Sequence, residues 1–134
     1  MAVEPDTNIF YARGANLGTS FSAARPLDDS RAGFDPNRDT PSNQWHPSLA
    51  AAGDRLFVAW QDNRLGNNDV FFTTSPDGGT TFAASERVDD TGAGSSEQTR
   101  PRVAWAAGAC YVAWEDSRNG TSDIYLGRRA CPVP

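Results

Sequence analysis

Apolar residues in this chain come in short bursts of Val, Trp, Phe and Tyr, separated by clusters of Gly, Pro, Asp, Asn and Ser. No window keeps the period of an amphipathic helix for three turns, whereas runs of strand length alternate with turn residues throughout. In the middle of the chain the pattern predicts four strands, at residues 47–50, 56–60, 69–74 and 82–89. The links between them, Gly53-Asp54, residues 63–68 and residues 76–79, carry turn chemistry. Pro47 heads the first strand, where a missing N–H costs least. The expected class is all-β.

Internal repetition orders these strands. A shift of 54 places carries residues 44–70 onto 98–124 without a gap. Gln44 falls on Gln98, Pro47 on Pro101, Val58-Ala59-Trp60 on Val112-Ala113-Trp114, and Asp62, Arg64, Gly66 and Asp69 on Asp116, Arg118, Gly120 and Asp123. Gly53 stops one place short of Gly108. A second shift, of 61 places, carries residues 8–29 onto 69–90. The chain therefore reads as one module, 1–134, holding a half unit (8–29), a full unit (44–90) and a partial unit (98–127). A repeat of roughly 50–60 residues built from short strands matches the size of a propeller blade.

At Ser75-Pro76-Asp77-Gly78-Gly79-Thr80-Thr81-Phe82 the chain resembles the Asp-box, S-x-D-x-G-x-T-[WF], of bacterial sialidases and related β-propellers. Asp77 is placed to accept from turn amides, Gly79 to take a positive φ, Thr81 to bond back to the turn and Phe82 to pack beneath the hairpin. A degenerate copy stands at Asn16-Leu17-Gly18-Thr19-Ser20-Phe21, with Asn for Asp and Ser for Thr. In that family the box is a structural turn on the outer rim of a blade, so Ser75, Asp77, Gly79, Thr81, Phe82, Asn16, Gly18 and Phe21 are assigned a structural role. The resemblance implies about two four-stranded antiparallel propeller blades. Two blades leave strand edges and a sheet face open, and propellers close with about 4–8. The ring is then expected to be completed by oligomerisation or by parent sequence. Three chains of two blades would make six, which favours a homotrimer.

Charge narrows the partners. A net charge of −5 and a pI of about 4.7 argue against nucleic acid or an anionic membrane surface. All 12 basic side chains other than His46 are arginine. No apolar run reaches the length of a membrane span, and Met1-Ala2-Val3-Glu4 does not read as a signal peptide. Cys110 and Cys131 are compatible with one disulfide tying the C-terminal tail to a strand, which favours a secreted or extracellular setting; two unpaired thiols are the alternative.

Several residue types could carry binding. Asp62, Arg64 and Asp69, and again Asp116, Arg118 and Asp123, bracket one loop. They are either a polar constellation at the end of the ring or a clamp in which Arg bridges carboxylates. Recurrence in both units favours the clamp. Trp45-His46 stands where Thr99-Arg100 stands, and Gln61 where Glu115 stands. A Trp beside a His could stack on a sugar ring and donate to its hydroxyls; a part-buried Trp with a solvated His is the plainer alternative, and Trp105 is similarly ambiguous. Trp60 and Trp114 read as core. Trp45, His46, Arg64, Arg100, Trp105 and Arg118 are therefore the candidates for contact with a carbohydrate or protein ligand. Asp35-Pro36-Asn37-Arg38-Asp39 has the D-x-N-x-D spacing of a calcium loop. It lacks the Gly and Glu such a loop needs, at Thr40 and His46, and reads as a turn, so no metal or cofactor is expected.

Sialidases of the resembled family use an arginine triad, a Tyr–Glu nucleophilic pair and an Asp acid/base, with a [FY]-R-I-P segment before the first box. Thr99-Arg100-Pro101-Arg102 departs from that segment on both sides of the arginine, and nothing pairs Tyr111 with Glu115. No residue carries over as catalytic. The expectation is a non-enzymatic module that self-assembles and binds a glycan or protein. The alternative is a purely architectural blade pair, and a glycosidase fragment is third.

Overall fold

A computed structural model of the chain describes residues 7–27, 42–90 and 95–133. The calcium-like spacing at residues 35–39 lies outside them. The described residues form strands β1 (Phe10–Tyr11), β2 (Gly14–Ala15), β3 (Ser20–Phe21), β4 (Arg25–Pro26), β5 (Gln44–Ala52), β6 (Arg55–Asp62), β7 (Asp69–Ser75), β8 (Glu86–Arg87), β9 (Gln98–Ala106), β10 (Ala109–Asp116) and β11 (Asp123–Ala130). The fold is all-β. Four antiparallel sheets form, β1–β4, β2–β3, β5–β6–β7–β8 and β9–β10–β11, and none closes on itself.

The repeats in sequence are repeats in register. β5 and β6 recur, 54 places on, as β9 and β10 with the same lengths. The pairing Phe10↔Pro26 and Tyr11↔Arg25 recurs, 61 places on, as Phe71↔Arg87 and Phe72↔Glu86. Alternation along β6 and β7 sends Phe57, Ala59, Val70 and Phe72 to one face of the four-stranded sheet, here the front, and Val58, Trp60 and Phe71 to the back. The front is covered by Cys110, Val112, Trp114 and half-buried Val103, Trp105 and Tyr125 of the three-stranded sheet. The back is covered by Ile9 and half-buried Leu27 from either side of the β1–β4 pair. The molecule is a stack, each layer resting its front on the back of the next.

Two elements differ from the pattern-based expectation. The first strand of each unit starts earlier than Pro47, at Gln44 and Gln98, because a bulge lets the ladder continue past the proline. The fourth strand shrinks from 82–89 to Glu86–Arg87, since Phe82 and its neighbours serve the preceding turn. Cys110 and Cys131 form a disulfide that fastens the segment after β11 to β10.

Candidate functional site

Both first strands bulge near their starts. The register slips between Trp45 and Ser48, and the residue inside the bulge, His46, adopts a left-handed φ of 53°. Arg100, its repeat counterpart, has φ 51°. A left-handed non-glycine residue is costly unless its surroundings hold it. At Arg100 the hold is visible, because its N–H donates to Gln61 Oε1 of the adjoining sheet at 3.2 Å. Gln61 pairs in register with Trp45. One side chain thus links the two bulges, and Trp45, His46 and Arg100 gather at one end of the stack. His46 and Arg100 are exposed there and Trp45 is half-buried. The Arg100 guanidinium meets Glu115 at 3.0 Å, and Thr99 Oγ1 donates to the same carboxylate oxygen at 3.4 Å.

At the same end, each loop joining second and third strands is organised by one aspartate. Asp62 Oδ2 accepts from Trp60 Nε1 (3.1 Å) and from Arg64 Nε and Nη2 (2.9 and 2.6 Å), while Oδ1 accepts from the Arg64 amide (2.8 Å). Asp116 repeats this with Trp114 Nε1 (2.9 Å), Arg118 Nη2 (2.7 Å) and the Arg118 amide (2.9 Å). Each guanidinium lies over an aromatic ring of the third strand, Arg64 at 4.1 Å from Phe71 and Arg118 at 4.0 Å from Tyr125. Burial works against ionisation of Asp116, yet the donors from Arg118 and Trp114 hold its carboxyl well below the usual range. The hydrogen bond to Asp116 raises Arg118 in turn. Both arginines are engaged in a clamp, Arg118 also meeting the exposed Asp90 carboxylate at 2.8 Å, so the candidate groups left to face a ligand here are exposed His46 and Arg100 with half-buried Glu115.

A buried acid sits beneath the loop. Asp69, at the head of β7, is fully enclosed. The Gln98 carboxamide, with its nitrogen turned inward, donates to Asp69 Oδ1 (3.2 Å) and to the carbonyls of Asn68 and Ser96, and accepts from Ser96 Oγ. Burial, and after it the Asp89 carboxylate, push the Asp69 carboxyl up from 3.8 to about 6 against the attraction of Arg87.

The remaining candidates lie elsewhere. Trp105 is near the opposite end, donating from Nε1 to the Cys131 carbonyl at 2.9 Å. The 75–82 turn is at that end too. Asp77 accepts from the Thr81 hydroxyl (2.6 Å) and amide (2.8 Å), which together hold its carboxyl near 2. Ser75 Oγ donates to Asp77 and accepts from the Gly79 amide (2.8 Å), with Gly79 at φ 89°. Tyr11 and Arg25 reach across to donate to the Gly78 and Gly79 carbonyls, and Phe82 meets Tyr11 edge-on at 5.3 Å. In the degenerate copy Asn16 opens a short turn, Gly18 repeats the positive φ, and Phe21 is exposed. Among the described residues no three His, Cys, Asp or Glu side chains are grouped to hold a metal ion.

Sequence reasoning did not anticipate Gln61 as a link, nor the buried Gln44 and Gln98. Their only signal was recurrence of the Gln three places before a proline. No helix among the described residues is long and apolar enough to cross a membrane. No family model, curated protein or solved structure matches the chain.

Proposed function

We propose that this chain is a non-enzymatic repeat module of the Asp-box propeller type, which builds a ring with further copies of itself and presents the bulged end of that ring to a ligand. The observation that carries the reading is a layer-to-layer junction built twice with the same parts. The Gln44 amide donates to the Thr7 carbonyl and the Gln98 amide to that of Asn68, both at 2.8 Å. Beside each of these bonds, within the donating layer, Asn43 and Asn63 bond reciprocally, and Glu97 and Ser117 repeat the exchange. A junction that recurs within the chain is suited to recur between chains.

The ligand surface is the set His46, Arg100 and Glu115 with Trp45 beside them, repeated around the ring so that weak sites add through avidity. An exposed ring edge, a cation and a carboxylate suit sugar hydroxyls or a polar protein surface. Clamped Arg64 and Arg118 favour an architectural role for those two.

Light scattering coupled to size exclusion tests the assembly. The expected mass is near three times 14.4 kDa; a folded monomer at all concentrations overturns it. A glycan array repeated with a Trp45→Ala, His46→Ala variant tests the ligand end. Hydrolysis of a fluorogenic sialoside would overturn the non-enzymatic reading.

A further inference from the structure

We propose that a second copy of this chain completes the β9–β10–β11 sheet by strand exchange, donating β4 as the fourth strand and Phe21 as the plug of the cavity behind it. This rests on the self-assembling reading above and names the surfaces that would perform it.

The front of the three-stranded sheet carries Ile124 and Leu126, 74% and 65% exposed. Their counterparts 54 places back are Val70 and Phe72, both buried under the next layer. Their counterparts in the first layer are Ile9 and Tyr11, which lie against the back of the four-stranded sheet and its turn. β1 and β11 therefore carry one pattern suited to one slot: the back of β5–β8, floored by Val58, Trp60 and Phe71.

β11 also forms the edge of its sheet, whereas β7, its counterpart, is covered by β8 through Phe71↔Arg87 and Phe72↔Glu86. The counterpart of β8 is β4. Transferred by the repeat, β4 pairs Arg25 with Leu126 and Pro26 with Tyr125. An uncovered edge with an apolar face invites such an addition.

A cavity of about 170 Å³ marks where the missing piece belongs. It lies between the layers beside β11, with Phe72, Val88, Val112 and Gly127 in its walls. At the other junction the corresponding position, against Tyr11, is filled by Phe82. The counterpart of Phe82 is Phe21, which is 77% exposed at the end of β3 and four residues before β4.

Exchange requires one of the two competing strands to leave. β1 is held to β4 by two residue pairs, whereas β11 runs eight residues along β10 and is followed by the Cys110–Cys131 disulfide. β1 is the placeholder. When it releases, Ile124 and Leu126 of one copy take the seats of Ile9 and Tyr11 on the other, and Ser122 takes the place of Thr7 opposite Gln44. The contact is head-to-tail, so it propagates from copy to copy until a ring closes.

The test mixes an Arg25→Cys chain with a Leu126→Cys chain under mild oxidation and reads non-reducing gels alongside light scattering. Within one chain these positions lie on opposite sides of the four-stranded sheet, so a bridge between them must join two copies. The expected result is a disulfide-linked dimer from the mixture and from neither variant alone. Phe21→Ser or Leu126→Asp, both exposed in a single chain, should weaken assembly at least about tenfold. Ile9→Asp, which loosens the placeholder, should strengthen it. An assembled wild type whose Arg25→Cys and Leu126→Cys mixture does not cross-link, and whose assembly is unchanged by Phe21→Ser, overturns the exchange and leaves self-assembly standing. A monomeric wild type together with a mixture that does not cross-link overturns both.

Discussion

Replacing Asp69 by asparagine should make the protein more stable at neutral pH. The carboxyl is fully buried, Oδ2 has no hydrogen-bond partner among the described residues, and the nearest cation, Arg87, stands at 3.9 Å. Desolvation first, then the neighbouring Asp89 carboxylate and more weakly Asp62, disfavour its charge and lift its pKa from 3.8 to about 6. In the unfolded chain the group ionises near its ordinary value. The folded state therefore binds this proton more tightly, and stability falls as pH rises through the window from about 4 to about 6. Above that window the full difference, roughly 3 kcal/mol, is a standing penalty on the fold. An asparagine cannot ionise, its carbonyl still accepts from Gln98, and its amide is placed to donate to Asp89. Asp69→Asn should thus gain up to about 3 kcal/mol near pH 7 and less than about 1 kcal/mol near pH 4. Urea unfolding followed by fluorescence of the four tryptophans, at both pH values, measures it. A variant less stable than wild type at pH 7, or one gaining equally at both, would refute the reasoning.

Other expectations follow from single contacts. Arg64→Ala leaves the Asp62 carboxylate enclosed without its cation and should cost about 3 kcal/mol or more, with Arg64→Lys recovering only part because it neither chelates nor stacks on Phe71; thermal unfolding decides. Gly79→Ala forces a side chain onto φ 89° and into the Tyr11 ring, for a loss of about 2 kcal/mol in urea unfolding. Ala107 holds a left-handed φ of 48° in the β9–β10 turn, so Ala107→Gly should raise stability by about 1 kcal/mol; an unchanged urea midpoint would show the turn is unstrained. Reducing Cys110–Cys131, 21 residues apart, should cost about 3 kcal/mol, seen as a lower melting temperature in dithiothreitol.

The all-β class, the second and third strands of the full unit and the unit-to-unit register were legible in the sequence, whereas the early start of the first strand and the shortness of the fourth were not. The legible features rest on local alternation and on recurrence, which leave marks at fixed spacing: Val58-Ala59-Trp60 falls on Val112-Ala113-Trp114 in sequence, and β6 on β10 in space. The pairing of each arginine with the aspartate two places before it was also within reach, because partners that close are bound to meet. Tertiary structure decided what depends on another layer. The left-handed bulge at Arg100 is held by Gln61 of the adjoining sheet, and the proton affinity of Asp69 is set by enclosure and by Asp89, 20 residues on. Trp105 resembles Trp45 in composition but sits near the opposite end, bonded to Cys131. Alternation records which way a side chain points. What stands opposite it depends on the stacking of layers, and residues distant in the chain settle that.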